Sequence, residues 1–173
     1  DHDVWLNGAH MSTAVQLGQV SCQRDVGQRG TARITFARTP EVFVEAPAIG
    51  SKIEISWRDH LQWGGMVENV RTRTQPGVLG VVWWYELDCA SWDRLAEKRM
   101  TALTYTDKTT RQVLTDLLAQ VLGADGVTAG MIDEGVVLSF AGPQQEGQSI
   151  RVHEFVRDVS EASGGVYEID PFK

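Results

Sequence analysis

The sequence predicts an α+β, β-rich protein: a β-barrel-like domain over residues 1–90, then a small α/β domain over residues 91–173. Three observations carry this. Apolar and polar residues alternate through the first half, turn-forming residues separate the runs, and the period becomes helical after Cys89.

In chain order, Val4 and Leu6 flank Trp5 before Asn7-Gly8, a dipeptide suited to the positive φ angles of a tight hairpin. A longer strand follows, with Val15 and Leu17 on one parity and Val20 and Cys22 on the other. The phase flips at Gly18, which predicts a bulge. Ala32, Ile34 and Phe36 alternate with Thr31, Arg33 and Thr35; Ile53, Ile55 and Trp57 alternate with Lys52, Glu54 and Ser56. Both read as half-buried strands, and Ile34, Phe36, Ile53, Ile55 and Val67 are expected inside. A hairpin is expected to turn at Arg58-Asp59-His60, with Trp63 and Val67 on the return strand and Val81–Cys89 as the last strand. That makes about six short strands, a pattern that suits a barrel or sandwich, with Pro40, Pro47 and Gly50 marking a long connection.

After Cys89, Val113, Leu114, Leu117, Leu118, Val121 and Leu122 form a helical stripe over Thr109–Leu122. Thr109 and Gln112 have capping-box spacing, and Gly123 is the expected C-cap. A second helix is expected from Arg151 to Ser163, with Val152, Phe155, Val156 and Val159 inward, ending at Gly164-Gly165. Val136–Phe140 and Val166–Ile169 read as strands. The second has no following segment to pair with, so the chain is expected to be a piece of a longer polypeptide.

The chain has 173 residues, 42% of them hydrophobic, enough to bury a core without staples. The net charge of −7 argues against duplex nucleic acid and anionic membranes, both of which are held by Lys and Arg. Val78–Tyr85, the longest apolar stretch, is too short to span a bilayer, and Asp1–Val4 do not read as a signal peptide. The expectation is a soluble protein made in the cytoplasm. Cys22 and Cys89 are too sparse for a disulfide framework and lack metal spacing; both are expected to be small buried hydrophobes.

No residue set carries catalytic, cofactor-binding or metal-ligating spacing, so none is assigned and no cofactor is expected. His2, His10, His60 and His153 share no spacing, no serine sits in a GxSxG elbow, and Gly123-Ala124-Asp125-Gly126 lacks the lysine of a phosphate loop. His10-Met11 continues the strand pattern on either side and reads as native sequence. Trp83, Trp84 and Tyr85 are consecutive on one strand. An exposed platform of such rings would suit a sugar; the competing reading has Trp83 and Tyr85 filling the barrel, with Trp84 packed beneath the α/β part or a neighbouring subunit.

Some segments carry a family likeness. They are Arg29-Gly30-Thr31-Ala32, Gln62-Trp63-Gly64-Gly65-Met66-Val67-Glu68-Asn69-Val70, the strand exit Cys89-Ala90-Ser91, the short helix Asp93-Arg94-Leu95-Ala96, and the ending Ser163-Gly164-Gly165-Val166-Tyr167-Glu168-Ile169-Asp170. In this order they resemble the tail-tip or baseplate hub proteins of tailed phages, which are related to contractile injection system hubs. The resemblance implies a β-barrel followed by an α/β domain, and three copies in a ring that closes the tail tube. It further implies partners among other tail proteins, the tube or distal tail protein above and a fibre or spike below. DNA would pass through the lumen without specific binding, repelled by an acidic wall, and this part of the chain would not insert in a membrane. The implied location is the virion tail tip, after synthesis in the bacterial cytoplasm. A carbohydrate- or receptor-binding module using Trp83-Trp84-Tyr85 is the second reading, and a peptidoglycan hydrolase fragment the third.

Overall fold

One antiparallel sheet dominates the first part of the chain. The computed structural model describes residues 2–11, 16–24, 29–38, 46–145 and 147–167. They fall into two compact units, a sheet unit ending at Trp92 and a helical unit beginning at Asp93.

In the sheet unit, β1 (His2–Leu6), β2 (Ala9–His10), β3 (Gln16–Gln23), β4 (Thr31–Arg38), β5 (Lys52–Trp57), β6 (His60–Gly77) and β7 (Gly80–Ser91) form a seven-stranded sheet in the order β2-β1-β5-β6-β7-β4-β3. Every pairing is antiparallel. Asn7 and Gly8 (φ 50° and 80°) make the predicted turn between β1 and β2. The Asn7 side chain then ties that turn to β5, accepting from the Lys52 N–H at 2.8 Å. The β5–β6 hairpin turns on Arg58 and Asp59, both at positive φ, and His60 already pairs with Trp57. The bulge expected near Gly18 is present as a register shift between Leu17 and Val20; Val15 lies outside the described residues.

Parity decides what is buried. Val4, Leu6, Ile34, Phe36, Ile53, Ile55, Trp63, Val67, Tyr85, Leu87 and Cys89 share one face and form one core, in which the Phe36 and Tyr85 rings stack at 5.2 Å. The five residues expected inside are all buried.

Several expectations are corrected. Among the described residues the sheet is open: its outer strands β2 and β3 do not pair with each other, and β2 is only two residues long, too short for a closing ladder. Trp57 is exposed, because it ends its strand beyond a register shift; Arg58 lies over its ring at 4.7 Å. Cys22 is exposed: its partner Ala32 is buried, but Cys22 stands on the edge strand. Only Cys89 is a buried thiol.

In the helical unit, α1 (Asp93–Lys98), α2 (Thr110–Leu117) and α3 (Val152–Ala162) pack around Val113, Leu117, Leu122, Val152, Phe155 and Val159. Two short ladders accompany them: β8 (Met100–Thr101) with β11 (Ile150–Arg151), and β9 (Lys108–Thr109) with β10 (Val137–Leu138). The predicted capping box closes α2: the Thr109 hydroxyl accepts from the Gln112 N–H, and the Gln112 side chain accepts from the Thr109 N–H.

The helix continues past Leu117 as a π-helical turn (Leu118–Leu122) capped by Gly123, as expected, but Gly123 is right-handed (φ −59°) and the chain runs on through a 3₁₀ turn (Gly123–Asp125). The left-handed cap falls on Gly126. Helix α3 ends as expected at Gly164, in a Schellman arrangement: the Gly165 N–H donates to the Ser160 carbonyl and the Gly164 N–H to that of Glu161. The strand expected at Val136–Phe140 is reduced to Val137–Leu138. Val166 and Tyr167 are not in a strand, and Glu168 and Ile169 lie outside the described residues.

Candidate assembly surface

The longest element in the molecule is the β6–β7 hairpin, and the sequence explains how it is anchored. Gly65 sits where a Cβ would stand 2.6 Å from the Trp63 ring and 2.1 Å from the Ala90 carbonyl oxygen. Only glycine lets the indole lie back along its own strand while β7 passes this close. Ser91 closes the same end. Its backbone N–H donates to the Gly30 carbonyl, and its hydroxyl accepts from the Gly30 N–H, each at 3.0 Å. The Gly65-Met66-Val67 and Cys89-Ala90-Ser91 motifs therefore form the root of the hairpin.

Beyond the root, a register shift between Val67 and Asn69 inserts Glu68 as an extra residue. This bulge reverses the parity of β6, since a one-residue slip moves every following side chain to the other face. Val70 stays on the core side opposite Leu87, and Asn69, Arg71 and Arg73 fall opposite Asp88, Glu86 and Trp84 on the outer face. β4 adds Arg33 to this row, opposite Asp88.

Asp88 is the hub of the row. It accepts from Arg33 Nε at 3.0 Å and from Asn69 Nδ2 at 3.3 Å, with Arg71 at 3.5 Å. Burial pushes its carboxyl up, but the hydrogen bonds from Arg33 and Asn69 and the charges of Arg33 and Arg71 outweigh this and hold it below the usual range. Arg73 pairs with Glu86 at 3.7 Å and covers the Trp84 ring at 5.3 Å. Cys89, next to Asp88 but on the core face, has its thiol pushed up to about 12 by burial, then by the charges of Asp88 and Glu68. It stays protonated and unreactive.

The far end of the hairpin is different. Residues 71–77 are exposed along their whole length, and Val78 and Leu79 form a two-residue turn between the paired Gly77 and Gly80. Val78 is fully exposed, Leu79 is 69% exposed, and Val81 and Trp83 follow on the core-side parity beyond the end of the core.

This settles the three consecutive aromatics. Tyr85 is in the core, as expected. Trp83 shares its parity but has passed the edge of the packed region and is 43% exposed. Trp84 is half-buried on the opposite face, beside Gly18 and under Arg73. Trp83 and Trp84 thus do not form a common platform.

The histidines remain apart. His10 pairs with Asp3 at 3.1 Å and packs on Trp5, and His153 hydrogen-bonds the Tyr167 hydroxyl. Among the described residues no group of three His, Cys, Asp or Glu is placed to hold a metal, and no helix is long and apolar enough to cross a membrane.

No protein-family model matches the sequence, and no curated protein matches it either. Solved structures do match. The 43 kDa tail protein of prophage MuSo2 from Shewanella oneidensis superposes with a TM-score of 0.71 at 11% identity, over 99% of this chain and 50% of that one. This is the fold of phage tail proteins. A tail protein from Neisseria meningitidis MC58 matches at TM-score 0.61 and 9% identity, over 92% of this chain and 44% of that one. The E. coli c3393 protein matches at TM-score 0.63 and 11% identity, over 91% of this chain and 42% of that one. It is described as a component of the type VI secretion system, structurally similar to the T4 tail proteins gp27 and gp5. The chain spans about half the length of these tail-fold proteins. Within that fold, the bulge after Val67 and the ion-pair row it creates were missed from sequence. The available signal was that the polar Arg71, Arg73 and Gln75 occupy the same parity as the apolar Trp63 and Val67, while Val70 falls on the other.

Proposed function

We propose that this chain is a structural component of a phage tail tip, a baseplate hub that forms a threefold ring, closes the tail tube and connects it to fibres or a spike. The observation that carries the proposal is the likeness of 99% of the chain to a phage tail protein at TM-score 0.71. Residues 1–90 act as the hub domain, built on the open seven-stranded sheet, and residues 91–173 as the small α/β domain that follows it. The partners are the tube or distal tail protein on one side and the fibre or spike on the other, in the virion. Host attachment and DNA ejection follow from that position, with the acidic protein lining a path for DNA without gripping it.

The role is non-enzymatic and needs no cofactor. The aromatic reading is weaker, because Trp83 and Trp84 lie on opposite faces of β7 and Arg73 already covers the Trp84 ring.

Electron microscopy of the particle, or of the full-length protein, is the test. Threefold density fitting the sheet and helical units at the tail tip is expected. A monomer that hydrolyses peptidoglycan, with no density at the tip, overturns the proposal.

A further inference from the structure

Asn7-Gly8 is the one asparagine–glycine pair in the chain, since the only other asparagine, Asn69, is followed by Val70. Such a pair is prone to a spontaneous reaction. The backbone nitrogen of the glycine attacks the side-chain carbonyl carbon of the asparagine, and with no Cβ on the glycine little shields that nitrogen. A new N–Cγ bond forms, the Cγ–Nδ2 bond breaks, and the proton of the attacking nitrogen leaves with the amide as ammonia. Water then opens the cyclic imide at either carbonyl. One product is aspartate; the other is isoaspartate, in which the main chain runs through Cγ. Asn7 and Gly8 are both exposed, so water has access.

In this fold both ends of the reacting amide are tied down. Its Oδ1 accepts from the Lys52 backbone N–H at 2.8 Å, and its Nδ2 donates to the Ser51 hydroxyl at 3.3 Å. The Asn7 backbone N–H donates to the Lys52 carbonyl at 2.9 Å. Ser51 is fixed in turn: it is buried, and its hydroxyl also accepts from the Ala48 N–H at 3.2 Å. We infer that Asn7 is a spontaneous deamidation site held closed by Ser51 and Lys52, which reacts when the amide leaves these partners. Modification removes the Nδ2 donor from Ser51. As isoaspartate it also adds a methylene to the main chain of a two-residue turn, which then cannot keep Trp5 opposite His10 and Leu6 opposite Ala9. The reaction therefore releases β2, an outer strand of the sheet, from β1.

The test incubates the full chain at mildly alkaline pH, native and in guanidinium chloride. Peptide mass spectrometry follows Asn7 and Asn69, and isoaspartate-specific enzymatic methylation separates the two products. Asn7 is expected to react fast in denaturant and slowly in the native chain, with Asn69 unchanged in both. Ser51→Ala, kept below its own unfolding midpoint, should speed the native reaction roughly two- to tenfold, the population change that one neutral hydrogen bond controls. Ser51→Cys, close in size and a weak acceptor, takes its place if the alanine variant does not fold. In the isoaspartate form, purified by its added carboxylate, the Met11 amide that donates to the Val4 carbonyl should exchange with solvent faster than in the parent. Equal native and denatured rates at Asn7, or a folded Ser51 variant with the parent's rate, overturns the inference. So does reaction at Asn69 as fast as at Asn7. An unchanged Met11 amide overturns the release of β2.

Discussion

Gly65 approaches Ala90 so closely that a Cβ on it would stand 2.1 Å from the Ala90 carbonyl oxygen, with the Trp63 ring blocking the other direction at 2.6 Å. Neither neighbour can give way cheaply, since one is backbone in the central β6–β7 ladder and the other an indole with 1% exposure. Gly65→Ala should therefore destabilise the sheet unit by about 1–3 kcal/mol, the range for overpacking, or abolish folding. Gly77, near the exposed end of the same hairpin, provides the comparison: there a Cβ would stand 2.8 Å from the Val82 side chain and 3.1 Å from the Gly80 carbonyl oxygen, looser than at Gly65, and Gly77→Ala should cost less. Urea titration followed by tryptophan fluorescence measures both. Equal midpoints would show that the close approach at Gly65 is not maintained.

The Asp88 row predicts a pH dependence with a definite sign. Its carboxyl is held below the usual range in the folded protein, so its contribution to stability is complete above the unfolded carboxylate pKa and is lost as pH falls through the folded value. Asp88→Asn should lower stability near neutral pH by up to about 1 kcal/mol, screened by solvent because the side chain is 34% exposed. The difference from the parent should shrink below about pH 4, where the carboxyl begins to protonate in the unfolded chain. A gap that persists unchanged at pH 2–3 would assign the loss to hydrogen-bond geometry and not to charge.

The two cysteines should separate cleanly by reactivity. Cys89 is buried with its thiol pushed up to about 12, while Cys22 stands exposed on the edge strand. Burial raises the Cys22 thiol as well, so its labelling is expected to be slow at pH 7 and to quicken toward pH 9. Mass spectrometry after maleimide treatment should find one adduct on the native chain and two in denaturant. A native chain with two adducts would place Cys89 at the surface.

Much of the sheet was legible because burial on one face imposes a period of two. Ile34, Phe36, Ile53 and Ile55 announce their facing by their neighbours alone. The turns were legible where chemistry dictates them, as at Asn7-Gly8 and Thr109/Gln112. What was hidden depends on where a strand sits and not on what it contains. Cys22 has the parity of Ala32, yet its strand is an edge; Trp83 has the parity of Tyr85, yet lies past the end of the core. Strand order and the extent of the sheet fix both, and neither is written in local periodicity. The left-handed turn after the helical run was hidden for a related reason. Gly123 opens a 3₁₀ turn and Gly126 ends it, and only the geometry shows which of the two takes the left-handed conformation.

The division into two units gives a prediction that needs only two optical probes. All six tryptophans, Trp5, Trp57, Trp63, Trp83, Trp84 and Trp92, lie in the sheet unit, whereas the α-helices lie in the helical unit. Tryptophan fluorescence therefore follows the first and circular dichroism at 222 nm mainly the second. Leu117 is fully buried in the helical core among Val113, Val152 and Phe155, so Leu117→Ala removes buried methyl groups and leaves a cavity. The loss should be about 2–5 kcal/mol. If the units fold independently, the circular dichroism midpoint falls and the fluorescence midpoint stays. If they fold as one cooperative body, both fall together by the same amount, since a two-state transition has a single midpoint for every probe. In the independent case Ile55→Asp, which puts a charge into the sheet core, should do the reverse: abolish the fluorescence transition and leave α2 and α3 folded. A parent-like midpoint for Leu117→Ala in both probes would mean that Leu117 is not in a packed core.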